Sequence, residues 1–362
     1  MTRNAAAAAG ASSPVVPHSR PLLGRREEAA ALRVLRSGSL VPGPETESAA
    51  TLLARLSGCR SAVLLSSGTT ALGLALRALK IGPRDEVAIP SYACAAVLFA
   101  VRSASARPLL CDIDPVTLAL DPEDVARRGN GRARAAVLIH PFGLPARTEP
   151  FRSRGLLVVE DCAQAIGAFD RRAPVGSRGD ASVFSFAPTK VLTCGGPGGG
   201  LASPQGAIVD AARDLAGHDE KDDDRPRVNG LMGDLHAAVA AVQLARLAEF
   251  RDRRLFIARL YDEAFARLGL ARPAALPEGA EPIAYRYLVR VPEASPLIEA
   301  LNRRGIGARR PVYRPLHRLM GADGAFPHTD RAHLQLVSLP IYPALSDAEV
   351  ESVISEVRRC LS

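Results

Sequence analysis

The polar and apolar positions of the chain alternate between two periods. Short apolar runs of four to six residues recur at Ser61–Leu65, Glu86–Ile89, Pro108–Asp112, Ala135–His140 and Leu156–Val159. Between them lie stretches with helical spacing at Thr69–Leu79, Ala93–Ser105, Pro122–Arg128 and Pro150–Arg154. Strands alternating with helices predict an α/β layered domain with a mostly parallel sheet, and the near-continuous apolar strands predict that both sheet faces are covered. Two helices are predicted before this alternation. Arg25–Ser37 ends at Gly38 and Glu47–Leu56 is closed by Gly58, with a proline-marked loop, Leu40–Glu45, between them.

The second half changes style. Pro204–Asp224 is polar and reads as a surface segment, and Gly233–Leu268 is a long helical stretch with room for a kink. Strands are predicted at Ile283–Val291 and Ala308–Tyr313, a helix at Pro296–Arg304, an extended run at Val337–Pro340, and a last amphipathic helix at Asp347–Leu361 capped by Ser346. With 362 residues the chain has room for two domains. The expected division is a large domain over 17–250 and a smaller C-terminal α+β domain over 251–362, after an alanine-rich disordered leader over 1–16.

Composition narrows the class. Apolar content is 47% and charged content 23%, and no run approaches the roughly 18 apolar residues that span a bilayer. The net charge of +8 is spread along the chain without a basic tail or interleaved aromatics, which gives nucleic-acid binding little support and suits an anionic small substrate. Cys59, Cys94, Cys111, Cys162, Cys194 and Cys360 show no paired metal spacing, and a reduced, cytoplasmic protein is expected.

Candidate chemistry gathers at predicted strand ends, where parallel sheets bind ligands. The stretch Ser182–Lys190 is an apolar strand stopped by Pro188, so Lys190 stands just past a rigid end, before the glycine-rich run Gly195–Gly200. An amine so placed suits a Schiff base with a carbonyl. Ser66–Thr70 offers hydroxyls and free N–H groups at a helix start, which make an anion site or simply a cap. Asp161 ends a buried strand, where a carboxylate needs a cationic partner, and Gln164 follows three residues on. An amine for an aldehyde, an acid for a pyridinium nitrogen and a phosphate cradle are together what pyridoxal 5′-phosphate (PLP) requires.

Ordered motifs along almost the whole chain resemble the DegT/DnrJ-type nucleotide-sugar aminotransferases, within the fold-type I PLP enzymes. They include Ser37–Pro44, Ser67-Gly68-Thr69, Asp85–Tyr92, Asp112–Pro115, Pro141–Ala146, Glu160–Ala168, Ser185–Lys190, Gly305-Ile306-Gly307 with Tyr313 and His317, and Leu339–Pro343. The resemblance implies Lys190 as the Schiff-base lysine, Asp161 as the pyridinium partner and Gln164 beside the ring hydroxyl. It implies Gly68, Thr69 and Ser185 at the phosphate, Cys94 over the cofactor where an aromatic ring is frequent, and Asn229 reaching a neighbouring subunit's site. It also implies His140, Tyr313 and His317 along the substrate cleft. Ala187, Val191, Gly196-Pro197 and Leu231 depart from the family pattern and bear on substrate rather than cofactor. The expected activity is amino transfer from glutamate or glutamine to a keto-sugar, expected to be nucleotide-linked, by a homodimer with shared sites. The alternatives are a cyclitol aminotransferase, a deoxysugar dehydratase or a non-catalytic PLP-fold regulator.

Overall fold

In a computed structural model, residues 16–270, 276–322 and 324–361 are described. All but the last residue of the leader over 1–16 lies outside them. The chain opens with α1 (Arg25–Ser37) and α2 (Pro44–Ser57), each ended by a glycine in the left-handed region, Gly38 at φ 72° and Gly58 at φ 67°. Pro44 was expected in a loop; it instead opens α2, a position where its missing N–H costs nothing. Then come β1 (Ser61–Leu65), α3 (Gly68–Ala78), β2 (Glu86–Pro90), α4 (Ala95–Ser103), β3 (Arg107–Cys111), α5 (Pro122–Gly129), β4 (Ala133–Ile139), α6 (Glu149–Arg152) and β5 (Leu157–Asp161). Two short strands, β6 (Phe169–Asp170) and β7 (Ala173–Pro174), precede β8 (Ala181–Ser185), β9 (Gly199–Ser203), α7 (Gly206–Ala216), α8 (Asp234–Ala245) and α9 (Leu247–Ala266). The C-terminal part holds β10 (Ala280–Glu281), β11 (Tyr287–Arg290), α10 (Ala294–Arg303), α11 (Leu316–Met320), α12 (Pro327–Gln335), β12 (Leu336–Leu339) and α13 (Asp347–Leu361).

The central sheet has seven strands in the order β1-β9-β8-β5-β4-β2-β3. Its pairs from β8 to β3 are parallel; β9 runs antiparallel to both β8 and β1. Two apolar clusters cover opposite sides. One joins α3, α4 and α7 to Val87, Ile89, Val137, Val159 and Val183; the other joins α2 and α8 to Leu64, Phe184 and Ala202. A separate cluster links α9, α10 and α13 to the β11–β12 pair.

Three expectations are corrected. The glycine-rich run does not stay a turn: Gly199 and Gly200 begin β9, because α2 and β1 approach too closely for a side chain, and a Cβ on Gly200 would lie 2.5 Å from Leu53 Cδ2. The polar stretch after Pro204 contains α7, whose Ile208, Val209 and Ala212 are buried against α3. Ala308–Tyr313 forms no strand; Arg309 makes an isolated antiparallel bridge to Ser338, and Pro311 cannot continue the ladder. Ser346 caps α13 as predicted: Glu349 N–H donates to its Oγ at 3.2 Å, and Ser346 N–H donates back to Glu349 at 2.8 Å.

Candidate active site

The carboxyl ends of β4, β5 and β8 meet beneath a cavity of about 1530 Å³. Strand parity decides which side chains enter it. Ile139 pairs with Asp161 and Asp161 with Val183, so these three share one face, followed on β8 by Ser185; all four line the cavity. Glu160, His140 and Phe184 take the opposite parity and are buried on the far face.

Asp161 Oδ1 accepts the Ala163 N–H at 3.0 Å, and no hydrogen bond to Oδ2 is present among the described residues. Burial pushes this carboxyl above its usual range, while the Ala163 N–H, Lys190 and His140 pull the other way. A carboxylate so placed gains most from a cationic partner inside the cavity. Gln164, three residues further along the same turn, accepts the Phe142 N–H on its Oε1 at 2.8 Å, leaving its amide N–H₂ as a donor.

Lys190 lines the cavity beyond the end of β8. Its backbone N–H donates to Ala187 O at 2.9 Å, which closes the turn after Phe186. Its Nζ lies 5.8 Å from the centroid of Tyr285, whose hydroxyl donates to Thr189 O at 3.1 Å. Burial opposes ionisation of Tyr285, but Lys190, Arg286 and Arg254 outweigh it and bring the phenol below its ordinary range.

At the start of α3, Ser67 Oγ accepts the Thr70 N–H at 3.0 Å. That leaves the N–H groups of Gly68 and Thr69 free of intrahelical partners at the positive end of an 11-residue helix. The cradle is tight. A Cβ on Gly68 would meet Ser185 Cβ at 3.0 Å, and one on Gly199 would lie 2.4 Å from Gly68 N. Cys94, exposed at the N-cap of α4, also lines the cavity.

These residues fit PLP: Asp161 has an oxygen to spare for the ring nitrogen, Gln164 an amide for a ring oxygen, and Gly68, Thr69 and Ser185 a glycine-walled anion cradle.

Of the expected cleft residues, Tyr313 lines the cavity and is 93% exposed. His140 and His317 do not line it. His140 follows Ile139 by one residue and so points to the far face. It accepts the Ala146 N–H at Nδ1 (2.9 Å) and therefore donates from Nε2 to Glu160 (3.0 Å). His317 is held by Ser91 at 2.7 Å and stacked on Phe326 with centroids 4.7 Å apart. Ligating atoms of His140, Glu160 and Cys162 lie within 4.8 Å of one another, but the lone pairs of Glu160 and His140 are occupied by hydrogen bonds. Asn229 is exposed next to Gly230, whose carbonyl accepts the Ser66 N–H, and lies outside its own chain's cavity.

Sequence reasoning missed the other wall. The loop after β4 carries Phe142 at φ 60° and Gly143 at φ 91°. Its carbonyls accept N–H bonds from Arg286 (3.2 Å) and Ile283 (3.1 Å), which brings Arg286 to the cavity and sets Tyr285 behind it, beside Lys190. The segment before α1 contributes His18 and Ser19, held by the Val16–Ile306 bridge. A single arginine and histidine in loops carry no periodic signal that marks them.

This architecture and site define a PLP-dependent aminotransferase of mixed α/β fold. The profile of the DegT/DnrJ/EryC1/StrS aminotransferase family matches residues 21–358, and the chain belongs to that family. It is 33% identical to a dTDP-4-dehydro-2,3,6-trideoxy-D-glucose 4-aminotransferase of Saccharopolyspora spinosa, over 94% of this chain and 95% of that protein. Among solved structures it is similar to the aminotransferase TlmJ from Streptoalloteichus hindustanus, with a TM-score of 0.89 and 34% identity over 96% of this chain and 99% of that one. It is also similar to DesV from S. venezuelae, with a TM-score of 0.88 and 31% identity over 96% and 99% of the two chains.

Proposed function

We propose that the chain transfers an amino group from glutamate or glutamine to the ketone of a nucleotide-linked sugar. The observation that carries this reading is that Lys190 and a half-buried Asp161, whose Oδ2 accepts no hydrogen bond among the described residues, line one cavity whose wall also holds Arg286, Arg309, Arg310 and Arg314. A cationic wall suits a diphosphate-linked substrate, and the Saccharopolyspora relative is named for such a sugar.

When bound, PLP supplies a ring that takes up the electrons of a carbon losing its proton. Asp161 keeps a proton on the ring nitrogen by charge, so its contribution grows as electrons arrive and acts on the barrier. Lys190 Nζ moves the proton at the reacting carbon. Gly68, Thr69 and Ser185 hold the phosphate, and Gln164 orients the ring. Cys94 presents a thiol where a ring would stack, which leaves the cofactor's face more open.

The reading extends to a homodimer with shared sites: Asn229 is exposed next to Gly230, whose carbonyl accepts the Ser66 N–H, and does not line its own chain's cavity, which leaves it available to a neighbour. Chains carrying Lys190→Ala and Asn229→Ala should restore one working site per mixed dimer. A two-domain division within α9 is supported by Phe250, which joins the sheet's core, and by Ile257 and Tyr261, which join the C-terminal one. Six unpaired thiols suit a reducing cytoplasm.

A panel of nucleotide-linked keto-sugars, incubated with ¹⁵N-labelled glutamate or glutamine, tests the proposal. Label should enter at least one sugar. Retention of PLP with no labelled sugar or cyclitol would overturn it in favour of a binding role.

A further inference from the structure

Arg286 lines the cavity with Lys190 and lies against the same aromatic ring. Its guanidinium carbon lies 4.5 Å from the Tyr285 ring centroid, the same ring that Lys190 Nζ approaches at 5.8 Å. Two hydrogen bonds fix its plane. Nη2 donates to Tyr285 Oη at 3.1 Å, and Nη1 meets His18 Nδ1 at 3.1 Å. Arginine has no lone pair to offer, so His18 Nδ1 is the acceptor and Nε2 carries the proton, donated to Ser338 Oγ at 2.9 Å. The backbone of Arg286 is pinned by its bond to Phe142 O at 3.2 Å.

What Arg286 lacks is a counter-charge. No carboxylate forms an ion pair with it among the described residues, and three of its five N–H groups are free of partners there. The other arginines of the wall are differently placed: Arg309 is exposed, and no side-chain hydrogen bond fixes its guanidinium among the described residues. Arg310 is committed to Ser295 Oγ and to the carbonyls of His333 and Leu334, and Arg314 reaches the Arg318 carbonyl. An oriented guanidinium with a free N–H edge matches a carboxylate in bidentate fashion.

We propose that Arg286, oriented by His18 and Tyr285, binds the α-carboxylate of the amino donor and so selects α-amino acids as donors. The inference rests on the proposed amino-acid-dependent reaction and names the group that recognises its donor. Location decides between carboxylate and phosphate. An α-carboxylate lies two bonds from the reacting nitrogen, and Arg286 shares a ring with the reacting lysine; a nucleotide diphosphate lies a full sugar ring further away.

The test uses two carbonyl reagents on the PLP-loaded enzyme, amino-oxyacetate, which carries a carboxylate, and methoxyamine, which does not. Loss of the cofactor's visible absorbance gives a second-order rate for each, whatever the natural donor is. The native chain should favour amino-oxyacetate. Arg286→Gln should lower that preference by roughly tenfold to a hundredfold, the worth of a charge-assisted pair, with the methoxyamine rate unchanged. Arg286→Lys, which keeps the charge and spares the fold, should retain part of it, and His18→Ala should weaken it while leaving methoxyamine alone. Equal rates for the two reagents in the native chain, or an unaltered ratio in Arg286→Gln, would overturn the assignment. So would a keto-sugar KM that rises with no change in the ratio, which would place a phosphate there. If the ratio behaves as expected and no glutamate or glutamine is consumed, the donor reading fails and the carboxylate site stands.

Discussion

Glu160 is the acid that the site never touches, and replacing it gives the sharpest structural prediction. Its carboxylate is buried behind β5 and accepts four hydrogen bonds: from Gly176 N–H (3.0 Å) and His140 Nε2 (3.0 Å) on Oε2, and from Arg178 N–H (2.9 Å) and Gly179 N–H (2.5 Å) on Oε1. Burial works against its charge, but His140 and the backbone donors outweigh it and hold the carboxyl below its ordinary range. In Glu160→Gln the amide N–H₂ must face two of these donors whichever way it is turned. His140 cannot relieve the conflict by changing tautomer, because its Nδ1 already accepts from Ala146. Two unanswered buried donors cost about 1–3 kcal/mol each, so the substitution should destabilise the fold by about 2–6 kcal/mol. That is a large share of the roughly 5–15 kcal/mol of a typical domain. Urea denaturation of the PLP-loaded protein measures it. The native carboxylate's contribution is complete above the unfolded pKa and is lost as pH falls through the lower folded value, so Glu160→Gln should also flatten the acid limb of stability against pH. A loss under about 0.5 kcal/mol would refute the reasoning, since it would mean the donors find water or other acceptors.

Three further outcomes follow from the same geometry. His18 is held to a pKa of about 3 by burial and by Arg286 and Arg309, so the unfolded chain takes up its proton first; stability should decline from about pH 6.5 downward, by about 2 kcal/mol at pH 5, and His18→Gln should remove that slope in thermal melts. Gly199→Ala drives a Cβ to 2.4 Å from Gly68 N and should weaken PLP binding by roughly tenfold or more, read by equilibrium dialysis. Tyr285→Phe keeps the ring but drops the bonds to Thr189 O and Arg286; it should cost about 1–2 kcal/mol in urea melts and raise the KM for the amino donor more than it lowers kcat.

The sheet and its chemistry were legible because they are written in local signals. Apolar runs ending at Asp161 and Ser185 mark strand ends, and Pro188 marks where β8 must stop. Ser67 announces the cap of α3. What the sequence left hidden depends on packing between distant segments. Gly199 and Gly200 look like a turn, and only the proximity of α2 and α3 shows why a strand there must lack side chains. The family resemblance puts His140 in the cleft, although its parity relative to Asp161 and Ile139 puts it behind the sheet. His317 resembles a cleft residue by its neighbours in sequence, while Ser91 and Phe326 draw it inward. Arg286 gave no sign of itself, because its role comes from Phe142, Tyr285 and His18, brought from three separate parts of the chain.

The central claim is that Asp161 holds the proton on the cofactor's ring nitrogen while Lys190 works at the reacting carbon. Asp161→Asn preserves shape and the bond from Ala163 but removes the charge. The direct measurement is single-turnover conversion of the PLP form to its amino form by the amino donor, followed by absorbance, with bound PLP quantified in the same samples. PLP should remain bound in Asp161→Asn while conversion slows by on the order of a hundredfold or more, the scale of one strong transition-state contact. Conversion at the native rate with PLP fully bound would contradict the account, because Asp161 would then be only a strand-end carboxylate held by Ala163 and not the partner of the ring.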